Sequence, residues 1–139
     1  MSEQKKNVIL LAIIQLIHFF IDAFCMFYIF LFNPVYDIYY GSFILLQTMH
    51  WGALKNECIV SYVEKKLINQ DYTLGDKPKW IPHYNVYHNK FTIYLKAILI
   101  LGTLSFIIFR NRKNNIPYIC VSAIILWLYF TYYHKNSQL

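Results

Sequence analysis

The residues of this 139-residue chain best placed to do chemistry are the polar and ionisable side chains that interrupt its long apolar runs. The first run carries Gln15, His18 and Asp22, and the second carries Gln47, His50, Asn56 and Glu57. On a helix, His18 and Asp22 share one face because they are four apart, with Gln15 a turn earlier on the same stripe. His50 and Glu57 share a face in the same way, with Lys55 just off it. Imidazole and carboxylate groups at such positions are the usual carriers of a proton or ion relay inside a membrane. His18, His50 and Asp22 together also make three ligands of the kind a transition metal or haem site uses. No H-x-x-x-H or E-x-x-H spacing gathers such ligands on one helix, which weighs against a metal centre. The third use is structural: His18, Asp22, Gln47 and His50 hydrogen-bond across two helices and fix their packing, at ~0.6 kcal/mol per bond. Packing, with no metal and no cofactor, is the expectation taken forward.

The elements that must hold these residues are four apolar stretches, 8–32, 35–63, 91–109 and 116–133. A bilayer core about 30 Å thick needs ~20 helical residues to cross it, and backbone in lipid must satisfy its own hydrogen bonds, so each stretch reads as a transmembrane helix. With 58% hydrophobic and only 14% charged residues, the chain has no amphipathic stretch left to wall a separate water-soluble core. The expected fold is therefore all-α: an integral membrane four-helix bundle, with residues 1–139 forming a single transmembrane domain. The first run is too long for a secretion signal and has no small-x-small cleavage site after it. Asn33-Pro34 stops it and predicts a tight hairpin with the second.

Counting outward from that turn at ~1.5 Å per residue puts His18 level with Met49 and His50, and Asp22 level with residues 45–47. Glu57 comes level with Lys96 of the third helix, which predicts a Glu57–Lys96 ion pair. If instead the embedded part of the second helix ends at Leu54, Glu57 lies in the headgroup zone, where an ionised carboxylate costs little. Both placements are open at this point.

Residues 64–90 form the sizeable loop, with Lys65, Lys66, Lys77, Lys79 and Lys90 as its cations and Trp80 among its interface-type aromatics. Such a loop is a connector, or a basic patch that docks on anionic lipid or on a partner at the inner face. The distribution of Lys and Arg favours cytosolic termini, although Arg110, Arg112 and Lys113 crowd a short turn on the other side. The charge of +6 is spread over several segments with no recognition motif, so nucleic acid is not an expected partner. The bilayer is, and the chain is open to oligomerisation. Cys25, Cys58 and Cys120 are odd in number and lack a C-x-x-C, and are expected to be small buried residues. His83 and His88 read as interfacial polar groups.

No nucleophile elbow, phosphate loop, zinc-protease motif or glycosylation acceptor occurs. His50-Trp51, Lys55-Asn56-Glu57-Cys58, Glu64-Lys65-Lys66 and Tyr72-x-Leu74-Gly75 form a run that resembles uncharacterised small multi-pass membrane proteins of large DNA viruses. The same run is similar to a bacterial four-helix membrane family of unknown function, departing from it where Ile59-Val60 replace Pro-Leu. The resemblance covers residues 49–75 and implies a shared helix-loop design. For the viral group it implies residence in a virion or internal, endoplasmic-reticulum-derived membrane beside other membrane or capsid proteins. The expected role is architectural or adaptor-like, with small-scale transport or redox chemistry as its rival.

Overall fold

The computed structural model describes residues 3–77 and 90–134, and among them the chain is all-helical, with no strand. Five α-helices are found there: α1 (Glu3–Leu31), α2 (Asp37–Ala53), α3 (Ile59–Ile68), α4 (Lys90–Arg110) and α5 (Ile116–Leu128). A 3₁₀ turn at Pro34–Tyr36 joins α1 to α2, and a π-helical turn, Tyr129–His134, follows α5. Neither glycine nor proline interrupts α1. Its stretch Asn7–Leu31 is the one helix among the described residues long and apolar enough to cross a membrane by itself. A core helix of a water-soluble protein would be mostly buried, whereas only 11% of the most apolar window of α1 is. The stop follows the expected chemistry, because Asn33 accepts the Val35 N–H and Pro34 opens the next turn.

The second apolar run is not one helix. The expected span 35–63 is broken after Ala53, where Lys55 (φ 50°) and Asn56 (φ 69°) take consecutive left-handed conformations. The Asn56 N–H reaches back to Trp51 O at 2.8 Å, a six-to-one closure that ends α2 and tolerates asparagine in the left-handed position. The chain then restarts as α3, so the first residues assigned to the 64–90 loop are helical. His50 Nε2 spans the break by accepting the Ile59 N–H at 2.9 Å.

The expected tight α1–α2 hairpin is also revised. These helices meet near their turn, where the Tyr28 and Tyr40 rings stack with centroids 4.3 Å apart and Tyr40 donates to Cys25 O at 2.7 Å. The main partner of α2 is α5, which also packs on α4, while α1 rests on α4 and α3. Gly41 explains the preference, since a Cβ there would stand 2.9 Å from Cys120 Sγ; its absence lets α5 approach closely. The apolar core uses one stripe from each of these helices: Tyr40 and Ile44, then Ala97, Ile100, Leu104 and Ile107, then Cys120, Ala123 and Trp127.

A pair of glycine substitutions tests this packing. Gly41→Ala is expected to destabilise the detergent-solubilised protein by about 1–3 kcal/mol, the usual cost of overpacking. Gly102→Ala, where an added Cβ meets nothing within 4 Å, is expected to be neutral or stabilising. Thermal unfolding of the two variants side by side decides the matter, and equal losses would count against a close α2–α5 contact.

Candidate functional site: a buried charge network

The buried face of α1 is its polar face. His18, Asp22, Cys25 and Tyr28 recur at helical spacing and are the residues of α1 described as buried, while Val8, Phe20 and Phe30 point outward. The same inversion holds on α3, where Ser61, Glu64 and Lys65 are buried and Ile59 and Ile68 are exposed. The interior is thus assembled around charge, and three nodes of it lie among the described residues.

The first node is centred on the Glu57 carboxylate, which is 1% exposed. Its Oε1 accepts hydrogen bonds from Lys65 Nζ and from the Tyr72 hydroxyl, and its Oε2 accepts the Gly75 N–H at 3.1 Å. Lys65 also donates to Lys77 O at 2.7 Å, and the Lys77 N–H donates to the Tyr72 oxygen at 3.1 Å. These bonds fold residues 69–77 back onto α3. Gly75 makes the return possible with φ 92°, a conformation open to glycine at little cost. Gly75→Ala would also drive a Cβ to 2.8 Å from the Lys55 side chain. A loss of about 1–3 kcal/mol in detergent unfolding experiments is expected for that variant, the range for a strained left-handed residue.

The second node joins α1, α3 and α4. Asp22 Oδ1 accepts from Lys96 Nζ at 2.5 Å, and one turn away His18 Nδ1 lies 3.4 Å from Glu64 Oε1. The third node closes the other end of the bundle: Asp37, the first residue of α2, accepts a two-pronged contact from Arg110. The same carboxylate accepts from Asn111 Nδ2 at 2.6 Å and from the Tyr28 hydroxyl at 2.9 Å. Among the described residues, two buried polar atoms have no hydrogen-bond partner, Asn56 Nδ2 and Ser61 Oγ, and both flank Cys58 in sequence.

Set against the sequence expectations, the Glu57–Lys96 pair does not form. Glu57 pairs with Lys65 and Lys96 pairs with Asp22. The expectation counted residues along an unbroken second helix, and the turn at Lys55-Asn56 cancels that count. His18, Asp22, Gln47 and His50 do not form one cross-helix cluster: His18 and Asp22 bond to α3 and α4, Gln47 receives a 3.7 Å contact from Cys25 Sγ, and His50 caps α3. Lys65, expected to face lipid or a partner, is fully buried because Glu57 and Tyr72 claim its ammonium. Lys66 and Lys77 are exposed as expected. Lys79, Trp80, His83 and His88 lie outside the described residues, as does the Lys90 side chain. No group of three or more His, Cys, Asp or Glu suited to a metal ion occurs among the described residues, so His18, His50 and Asp22 do not converge as ligands.

Reading the sequence missed Asp37, Glu64, Lys65 and Tyr72 as interior groups. One signal for Asp37 was available: a carboxylate opening a helix, opposite an arginine closing another, is a natural pair across a bundle end. Comparison with family models, with curated proteins and with solved structures gives no match.

Proposed function

We propose that this chain is a multi-pass integral membrane protein whose α1, α2, α4 and α5 cross the bilayer as a bundle, and that its role is architectural. The observation that carries this is the inverted distribution of side chains. Glu57, Glu64, Lys65 and Asp37 are at most 1% exposed, while Phe30, Leu31, Ile98 and Phe109 are each at least 67% exposed. Water-soluble monomers seldom leave contiguous apolar surface beyond a few hundred Å² facing solvent. Hydrocarbon is the medium that rewards this arrangement, since it favours an apolar exterior and drives ionisable groups to pair inside.

The charges support a scaffold rather than a relay. Each described carboxylate of the interior has a fixed cationic or imidazole partner, and the His50 lone pair is committed to the Ile59 N–H. A relay needs groups that exchange partners, and a clamp needs groups that keep them. The adaptor part of the role falls to the exposed Lys66 and Lys77, each worth ~1 kcal/mol near an anionic lipid surface or an acidic partner. The larger number of Lys and Arg on the amino-terminal side, against Arg110, Arg112 and Lys113 on the α4–α5 turn, supports cytosolic termini. The resemblance over residues 49–75 supports a virion or internal membrane as the site of residence.

Reconstitution into liposomes loaded with a pH-sensitive dye tests the role. The protein should resist alkaline carbonate extraction, and proton leak should equal that of protein-free liposomes. A proton flux abolished by Asp22→Asn would overturn the scaffold in favour of transport.

A further inference from the structure

The turn between α4 and α5 carries more charge than the fold uses. Arg110, at the end of α4, is taken by Asp37, whereas Arg112 and Lys113 are exposed and have no acidic partner among the described residues. Neither cation is needed to shape the turn. The Asn111 N–H donates to Ile107 O and the Asn114 N–H to Asn111 O, each at 3.0 Å. Asn114 Oδ1 accepts the Ile116 N–H at 3.0 Å, and its Nδ2 donates to Asn111 Oδ1 at 3.2 Å. Asn111 Nδ2 in turn donates to Asp37 and to Ile107 O. Amides thus fix the backbone and leave the two cations for another use.

Those cations share a hollow. Phe109, Arg110, Asn111, Arg112, Lys113 and Asn114 line a shallow cavity of about 400 Å³, within the ~300–1,000 Å³ range of small-molecule sites. The Arg112 guanidinium carbon stands 5.7 Å from the centroid of the Phe109 ring, over its face. A guanidinium resting on an aromatic ring is held in place while its N–H groups remain able to donate. A forked donor with a second positive charge beside it is the chemistry that recognises a phosphate. The turn joins two helices read above as crossing the bilayer, which puts it at the depth of lipid headgroups. Phe109 and Tyr118, 68% and 75% exposed, stand at the adjoining ends of α4 and α5 and offer apolar surface there. A soluble phosphate would gain nothing from those rings, whereas a phospholipid gains from the cations and the rings together.

We infer that the α4–α5 turn is a headgroup site for an anionic phospholipid, with Arg112 and Lys113 as its phosphate-binding groups and Phe109 as its apolar wall. The inference rests on the membrane setting proposed above. Arg112 supplies paired N–H donors to the phosphate oxygens, and Lys113 supplies a compact charge that follows the anion. A choline headgroup brings a cation of its own, which this pair of side chains repels, so zwitterionic lipid is the poorer ligand.

The test titrates the delipidated full chain in a non-ionic detergent and counts bound ligand by native mass spectrometry. The probes are phosphatidylglycerol, phosphatidylcholine with the same acyl chains, and sn-glycerol 3-phosphate. Phosphatidylglycerol should bind at least about fivefold tighter than phosphatidylcholine, the effect of one charge near a basic surface. Arg112→Gln combined with Lys113→Gln should weaken phosphatidylglycerol binding by about 30-fold, the loss of two such charges. Arg112→Lys should weaken it by about fivefold, since the charge stays and one hydrogen bond of the fork goes. Equal binding of the two lipids, unchanged affinity in the double variant, or full retention in Arg112→Lys would overturn the inference. Glycerol phosphate binding as tightly as phosphatidylglycerol would overturn it too, by showing a site for soluble phosphate. Should the variants fail to fold, the wild-type ranking of the three probes decides alone. Extraction of the protein by alkaline carbonate would sink the membrane setting, whereas a carbonate-resistant protein without the lipid preference would sink this inference only.

Discussion

Lys65→Met is expected to destabilise the protein by about 3–5 kcal/mol, the cost of breaking a buried ion pair by removing one partner. The substitution keeps the bulk of the side chain and takes away its charge. Glu57 would then be a carboxylate with 1% exposure, supported by the Tyr72 hydroxyl and the Gly75 N–H without a countercharge. The Lys77 carbonyl would also lose its donor, loosening the return of residues 69–77 onto α3. Combining Lys65→Met with Glu57→Gln should restore a large part of the loss, because no charge is then stranded. Combining Glu57→Gln with Lys96→Met should instead give a loss near the sum of the two single changes, since Lys96 serves Asp22. Denaturant titration of the wild type, the three single variants and the two combinations in one detergent measures all of this. Recovery in the Lys96 combination and not in the Lys65 combination would show that the pairs are assigned the wrong way round.

Arg110→Met should have an effect of similar size at the opposite end of the bundle, again about 3–5 kcal/mol. Asp37 is fully buried, and its two oxygens take both prongs of the guanidinium together with Asn111 and Tyr28. This one carboxylate therefore ties the ends of α1, α2 and α4 together. Arg110→Lys should recover less than half of the loss, because an ammonium cannot meet two carboxylate oxygens in the planar fork that arginine offers. The Tyr28 ring stacks on Tyr40, so a loosened Asp37 should also change the near-ultraviolet tyrosine signal. Full recovery by lysine would mean that charge alone matters at this position, and that the forked geometry contributes nothing.

Much of the architecture was legible because apolar length is a strong signal. α1 and α4 fall within a residue or two of the apolar runs in their C-terminal ends, and Asn33-Pro34 acted as a stop. The break in the second run was harder to read. Ile59, Val60 and Val63 continue the apolar pattern, and the instruction to turn rests on Asn56, whose left-handed tolerance is a weak signal beside the hydrophobic residues on either side of it. Once that turn was missed, every level counted past it was wrong, which is why Glu57 was matched to Lys96. Asp22 was recognisable as a group that must have a partner, yet the partner sits 74 residues away on α4, and no local spacing encodes that choice. Lys65 read as a solvated loop cation because its neighbours Glu64 and Lys66 are charged; the helix turns Glu64 and Lys65 inward and leaves Lys66 outside.

The central claim is that acyl chains cover the exterior of four of these helices. Photolabelling in liposomes that contain a diazirine-bearing phospholipid, followed by peptide mapping, addresses it without altering the chain. Lipid adducts should appear on the exposed apolar residues of all four, including Phe30 on α1, Leu46 on α2, Ile98 on α4 and Val121 on α5, with none on the buried Ile44, Leu104 or Ala123. Adducts confined to α1, with α2, α4 and α5 unlabelled, would contradict it.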